Sequence, residues 1–160
     1  HAVGVSVEAE LGKIGGTEDN VTVNEREATF TDPDEAVRFV KETGVDSLAV
    51  AVGTAHGVYK GEPKLDFDRI KTIAGMVDVP LVLHGSSGVP DESVKKAISL
   101  GIHKVNIDTN IREAFAQGVK DFLRDNPDNI DPRKILGPAR EAMKQIIMQK
   151  MHVFGSAGRA

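Results

Sequence analysis

The chain contains no cysteine and no tryptophan, only one tyrosine, and no apolar run near the roughly 20 residues that span a bilayer. Without cysteine, disulfides and thiolate chemistry are excluded, and the composition fits a reducing cytosol, so a cytoplasmic location is expected. No positively charged segment followed by an apolar stretch opens the sequence, so no signal peptide is visible. A large excess of one charge sign is also lacking: the net charge is −4, which gives no reason to expect a nucleic acid or an acidic membrane as partner. An initiator methionine is missing as well. His1-Ala-Val-Gly4 runs straight into the strand-like Val5-Ser-Val-Glu-Ala9, which reads as a chain cut inside a larger fold.

What is present is an alternation of strand and helix patterns over 160 residues, enough for a single domain over 1–160 with a real core. Strands are expected over 5–10, 47–52, 81–83 and 104–107. A glycine-rich loop with a short hairpin follows the first of them, to about residue 30. Helices are expected over 33–43, 66–76, 91–100 and 110–124. The first has an acid-rich start, Asp32-Pro33-Asp34-Glu35, buries Ala36, Val37 and Val40, and stops at Gly44. Asp131-Pro132 and Gly137-Pro138 frame a last helix to about residue 154. Alternating units imply parallel strands with right-handed crossovers. Four such units are half of an eight-stranded (β/α)8 barrel, with a doubly wound open sheet as the alternative.

Two of the apolar strand patterns end in a histidine followed by glycine. One is Ser47-Leu-Ala-Val-Ala-Val-Gly-Thr-Ala-His56-Gly57, the other Val79-Pro-Leu-Val-Leu-His84-Gly85. The C-terminal ends of parallel strands carry the chemistry of such folds. A single histidine there is ordinarily a hydrogen-bonded rim residue. Two on neighbouring strands point instead to a metal, because neutral imidazole is a preferred Zn²⁺ ligand. A catalytic zinc usually has three protein ligands. Glu10, at the end of the first strand, is one candidate for the third, and a residue outside the chain is the other. His1, His103 and His152 lack this placement and read as structural or surface residues.

His84-Gly85-Ser86-Ser87-Gly88 is a small strand-to-helix loop of the kind that offers backbone N–H groups and hydroxyls to an anion. Asn106-Ile107-Asp108-Thr109 ends the next strand and opens the next helix, adding donors. Each motif alone is common. Side by side they read as a phosphate seat. Glu18-Asp19, in the glycine-rich loop, could swing a carboxylate over the site as a general base, although a solvated acidic loop is the plainer alternative. Arg112 sits in the first turn of a helix, where the dipole disfavours a cation, and a nearby anionic ligand would explain it.

Several strings occur here in one order: Val-Glu-Ala-Glu10-Leu-Gly, Gly15-Gly16-Thr-Glu18-Asp19, Gly-Thr-Ala-His56-Gly57-Val-Tyr-Lys-Gly-Glu-Pro, Leu-His84-Gly-Ser-Ser-Gly88, Lys-Val-Asn106-Ile-Asp108-Thr109, and the later Asp131-Pro-Arg-Lys and Gly137-Pro-Ala-Arg-Glu. Together they resemble the class II, metal-dependent fructose-bisphosphate aldolases and the similar tagatose-bisphosphate aldolases, over essentially the whole chain. The resemblance implies a (β/α)8 barrel of which this chain supplies the last four units and a C-terminal helix. It implies His56 and His84 as zinc ligands, and Glu10 as a carboxylate for a second or alternative metal position. Glu18 then matches the base that takes a proton from dihydroxyacetone phosphate. Gly57, Gly85, Ser86, Ser87, Asn106, Ile107, Asp108 and Thr109 hold that substrate and its phosphate, with Na⁺ or K⁺ on carbonyls around Gly57 and Gly85. Arg112 resembles an arginine reaching the distal phosphate in a neighbouring subunit, in a homodimer or homotetramer. An Asp-His motif carrying the third zinc histidine and an acid/base aspartate is not in this chain, so this polypeptide alone is expected to be inactive. The motifs do not separate fructose from tagatose bisphosphate. A metal- and phosphate-binding module without catalysis is the alternative from another class.

Overall fold

The computed structural model describes residues 1–18, 21–23, 29–57, 61 and 63–159, with the side chains of 16–18 and 21–23 excepted. The chain divides into two compact units, His1–Ile107 and Asp108–Ala160.

The first unit is built on a four-stranded parallel sheet: β1 (Glu8–Leu11), β4 (Ser47–Val50), β6 (Leu81–Leu83) and β7 (Ile102–Val105), in that spatial order. Three helices cross between them: α1 (Pro33–Thr43), α2 (Phe67–Ala74) and α3 (Asp91–Ser99). Spatial order therefore follows chain order. A doubly wound sheet would reverse direction part-way, so the open-sheet alternative falls, and four strands in sequence match half the strand set of a (β/α)8 barrel. Leu48, Val50, Leu81, Val82 and Leu83 are buried almost completely, which is why the two central strands are unbroken apolar runs.

The helix bounds follow local chemistry. The Asp32 carboxylate accepts the Glu35 N–H at 2.9 Å, Pro33 opens α1, and Gly44 ends it in the left-handed region. Ala36 is fully buried as expected, with Val37 and Val40 half-buried. Strand bounds differ more. The first strand begins at Glu8, not residue 5, because pairing with β4 starts at Glu8↔Ser47 and leaves Val5 and Val7 exposed. The last is shifted two residues earlier than expected, to Ile102–Val105.

A second, smaller sheet contains the expected hairpin. β2 (Gly15–Glu18) pairs antiparallel with β3 (Val21–Val23) and parallel with the two-residue β5 (Ala55–His56). His56 thus does not end the strand of Ser47, which stops at Val50; it belongs to β5. Thr31 fastens the neighbouring ends of β1 and β4: its buried hydroxyl donates to the Leu11 carbonyl at 2.6 Å and accepts the Ala51 N–H at 2.8 Å.

The second unit is a pair of helices, α4 (Thr109–Asp125) and α5 (Pro132–Val153), with Asp131 capping α5. They approach closely at Gly118, where a Cβ would lie 2.7 Å from the Cα of Ala139. Pro138 lies inside α5 instead of opening it. Among the described residues, no helix is long and apolar enough to cross a membrane.

Candidate metal centre

Alternate residues of a strand share one face, so Glu8 and Glu10 of β1 project together. His84, immediately after β6, lies between them. Its Nδ1 is 2.7 Å from Glu10 Oε2 and its Nε2 is 3.0 Å from Glu8 Oε1. The rings of His56 and His84 are tilted, with centroids 6.0 Å apart. Glu10, His56 and His84 each offer one ligand atom, and these atoms all lie within 4.8 Å of one another. Three of the residues singled out as metal ligands are therefore brought together, from β1, β5 and the end of β6.

The glycine after His84 has a structural reason. At Gly85 the backbone has φ +64°, and a Cβ there would meet the Ala55 carbonyl oxygen at 2.3 Å. The loop behind β6 can therefore lie directly against β5, which brings His56 and His84 together.

A neutral imidazole has one N–H, so it cannot donate to carboxylates at both nitrogens. Carboxylates at both nitrogens therefore favour the imidazolium form of His84. Its pKa is raised, chiefly by the hydrogen bond to Glu10; burial opposes this, and the Glu8 bond and both carboxylate charges add to it. Burial would raise the pKa of Glu8, but hydrogen bonds and charge from Lys104 and His84 outweigh it and lower it. A divalent cation beside His84 Nδ1 would replace the proton there and leave Nε2–H to Glu8. Two imidazoles and a carboxylate form a nitrogen–oxygen donor set suited to zinc.

The other site candidates divide by unit. In the first, the Ser86 hydroxyl is fully buried and donates to the Leu83 carbonyl at 3.2 Å, while Ser87 is half-buried. Gly57 has φ +86°, and a Cβ there would meet nothing within 4 Å among the described residues. The Asn106 N–H donates to the Leu83 carbonyl at 3.0 Å, and Ile107 is half-buried. The backbone of Glu18 lies in β2, but its side chain and all of Asp19 fall outside the described residues. In the second unit, Asp108 stands at the N-cap position of α4 and Thr109 begins it. Arg112 Nε donates to Asp108 Oδ1 at 2.8 Å, both side chains being exposed. That ion pair accounts for a cation in the first turn without a ligand.

Glu8 and Lys104 were not singled out as site residues. Lys104 sits in the second half of β7 and places Nζ 2.8 Å from Glu8 Oε2. The available signal was the Glu-x-Glu spacing in a strand, which puts two acids on one face.

The family model for fructose-bisphosphate aldolase class-II matches residues 1–159. The chain belongs to this aldolase family. Among solved structures it is similar to the YdjI aldolase from Escherichia coli K12, at 42% identity and a TM-score of 0.80, over 100% of this chain and 53% of that one. It is also similar to a protein of Coccidioides immitis solved as a candidate fructose-1,6-bisphosphate aldolase, at 31% identity and a TM-score of 0.87, over 99% and 55% of the two chains. A third is the fructose-bisphosphate aldolase of Campylobacter jejuni, at 26% identity and a TM-score of 0.74, over 96% and 53%. The chain thus spans about half the length of these aldolases.

Proposed function

We propose that this chain carries the metal-binding half of an aldolase that cleaves fructose 1,6-bisphosphate to dihydroxyacetone phosphate and glyceraldehyde 3-phosphate, and runs the reverse condensation. The observation that carries this reading is the convergence of Glu10, His56 and His84 in a member of the class II family. His56 and His84 would hold a divalent metal, taken as zinc, with Glu10 as a further ligand or as the seat of a second ion. The chemistry such a metal supplies is Lewis-acid polarisation of a substrate carbonyl.

The remaining roles belong to the chain. In condensation, Glu18 takes the proton from the carbon of dihydroxyacetone phosphate that attacks the aldehyde. Gly85, Ser86 and Ser87, with Asn106 and Ile107, hold its phosphate, the buried Ser86 through backbone rather than hydroxyl. Carbonyls around Gly57 and Gly85 are the seat for Na⁺ or K⁺, and Arg112 binds the distal phosphate across a subunit contact. No Schiff-base lysine takes part.

The test is turnover of fructose and tagatose bisphosphates by the full-length natural protein. Chelation should abolish cleavage and zinc should restore it. His84→Ala or His56→Ala should lower kcat/KM by about 10³-fold, the several kcal/mol a Lewis acid contributes. Turnover that survives chelation would overturn the metal reading. Preference for tagatose bisphosphate would overturn the fructose assignment alone.

A further inference from the structure

We propose that Glu8 is the positioning residue of the metal centre, fixing the His84 ring so that Nδ1, on the Glu10 side, is left as a lone pair for the metal. Resting on the metal-centre reading above, this assigns a role to a carboxylate that is not itself a ligand.

Glu8 Oε1 lies 3.0 Å from His84 Nε2. Its other oxygen, Oε2, accepts from Lys104 Nζ at 2.8 Å and from the Ser47 hydroxyl at 3.2 Å. The carboxylate is thus held by groups from β4, which pairs with β1, and from β7, at the other end of the strand order, while it reaches the residue that follows β6. Its side chain is 26% exposed, against 55% for Lys104, so the lysine forms the outer side of the relay. Only the Nε2–H tautomer can donate to Glu8 while leaving Nδ1 free to bind a cation. Glu10 is two residues along the same face and reaches the opposite nitrogen at 2.7 Å. One strand therefore supplies both a carboxylate on the metal side of the ring and one that orients it. Carboxylates placed in this way fix tautomer and ring angle, and losing one lowers metal affinity by about 10–100-fold.

The experiment measures zinc affinity of the full-length protein by competition with a chromophoric chelator. It also records the His84 ring tautomer by long-range ¹H–¹⁵N correlation in the zinc-loaded form. Glu8→Ala should weaken zinc by about 10–100-fold, and the Nε2–H signal should exchange faster. The isosteric Glu8→Gln keeps the volume if the alanine variant does not fold. It should weaken zinc as well, because its amide must turn an NH₂ either to His84 Nε2 or to the Lys104 ammonium. Adding Lys104→Met removes the second conflict and should recover part of the affinity. Wild-type zinc affinity in Glu8→Gln, or an Nδ1–H tautomer in the parent, would overturn the inference. His84→Ala is the control: if zinc affinity survives it too, the metal-centre reading itself fails.

Discussion

At the scale of single residues, the repeated His-Gly pair hides two different causes. Both glycines have positive φ, but a Cβ at Gly85 would strike the Ala55 carbonyl, whereas one at Gly57 would meet nothing within 4 Å among the described residues. Gly57→Ala should therefore cost about 1–2 kcal/mol, the price of a left-handed alanine. Gly85→Ala should cost more than that, because backbone must also move. Chemical denaturation of the two variants decides this, and equal losses would remove the packing argument. The sequence displayed both glycines identically. Only the partner strand distinguishes them. The same holds for the acids of β1: Glu10 was legible as a strand-end carboxylate, whereas the role of Glu8 depends on Lys104, 96 residues away.

At the scale of elements, helices were legible and strand ends were not. The bounds of α1 were readable to the residue because cap, proline and glycine act within a few positions of each other. Asp66 does the same for α2, accepting the Arg69 N–H at 3.0 Å and the Arg69 side chain at 3.0 Å, while that guanidinium also donates to the Thr31 carbonyl. The Arg69 N–H is the main reason the Asp66 pKa is lowered, burial opposing it and the guanidinium assisting. A lowered carboxylate pKa contributes stability above the unfolded value and loses it as pH falls through the folded one. Asp66→Ala should thus cost about 1 kcal/mol at pH 7. The gap between variant and parent should narrow as pH falls below the ordinary aspartate range. Urea melts at two pH values test this, and a gap independent of pH would count against the charged cap. Pro138 shows the opposite case. A proline in a helix interior costs about 3 kcal/mol or more, yet α5 continues through it, with fully buried Ala139 packed against α4 at Gly118. Tertiary packing overrides the local signal there.

At the scale of the whole molecule, the first unit joins distant stretches of chain around one cluster of ligand atoms. Any group that binds only the folded form stabilises it, by about 2.7 kcal/mol at a concentration 100 times its Kd. Zinc should therefore raise the Tm of the full-length protein, and His84→Ala should abolish the rise. A Tm unchanged by zinc in the parent would argue against a folded-state metal centre. The order β1-β4-β6-β7 belongs to this scale too. Periodicity could supply four strands and their crossovers, but not their sequence in space, so the choice between a barrel half and a doubly wound sheet waited for the pairing.

By itself, the sequence determined the α/β alternation, the helix limits, the absence of cysteine chemistry and the pair of histidines that opens the metal reading. These depend on side-chain type and on neighbours a few residues away. Tertiary structure decided that His56 belongs to β5 and not to the strand of Ser47, that Ser86 turns its hydroxyl inward, that Arg112 is paired with Asp108, and that Glu8 and Lys104 stand behind His84. Most of these depend on which strands lie side by side and which polar groups meet, and such contacts are set by the packed fold rather than by local propensity.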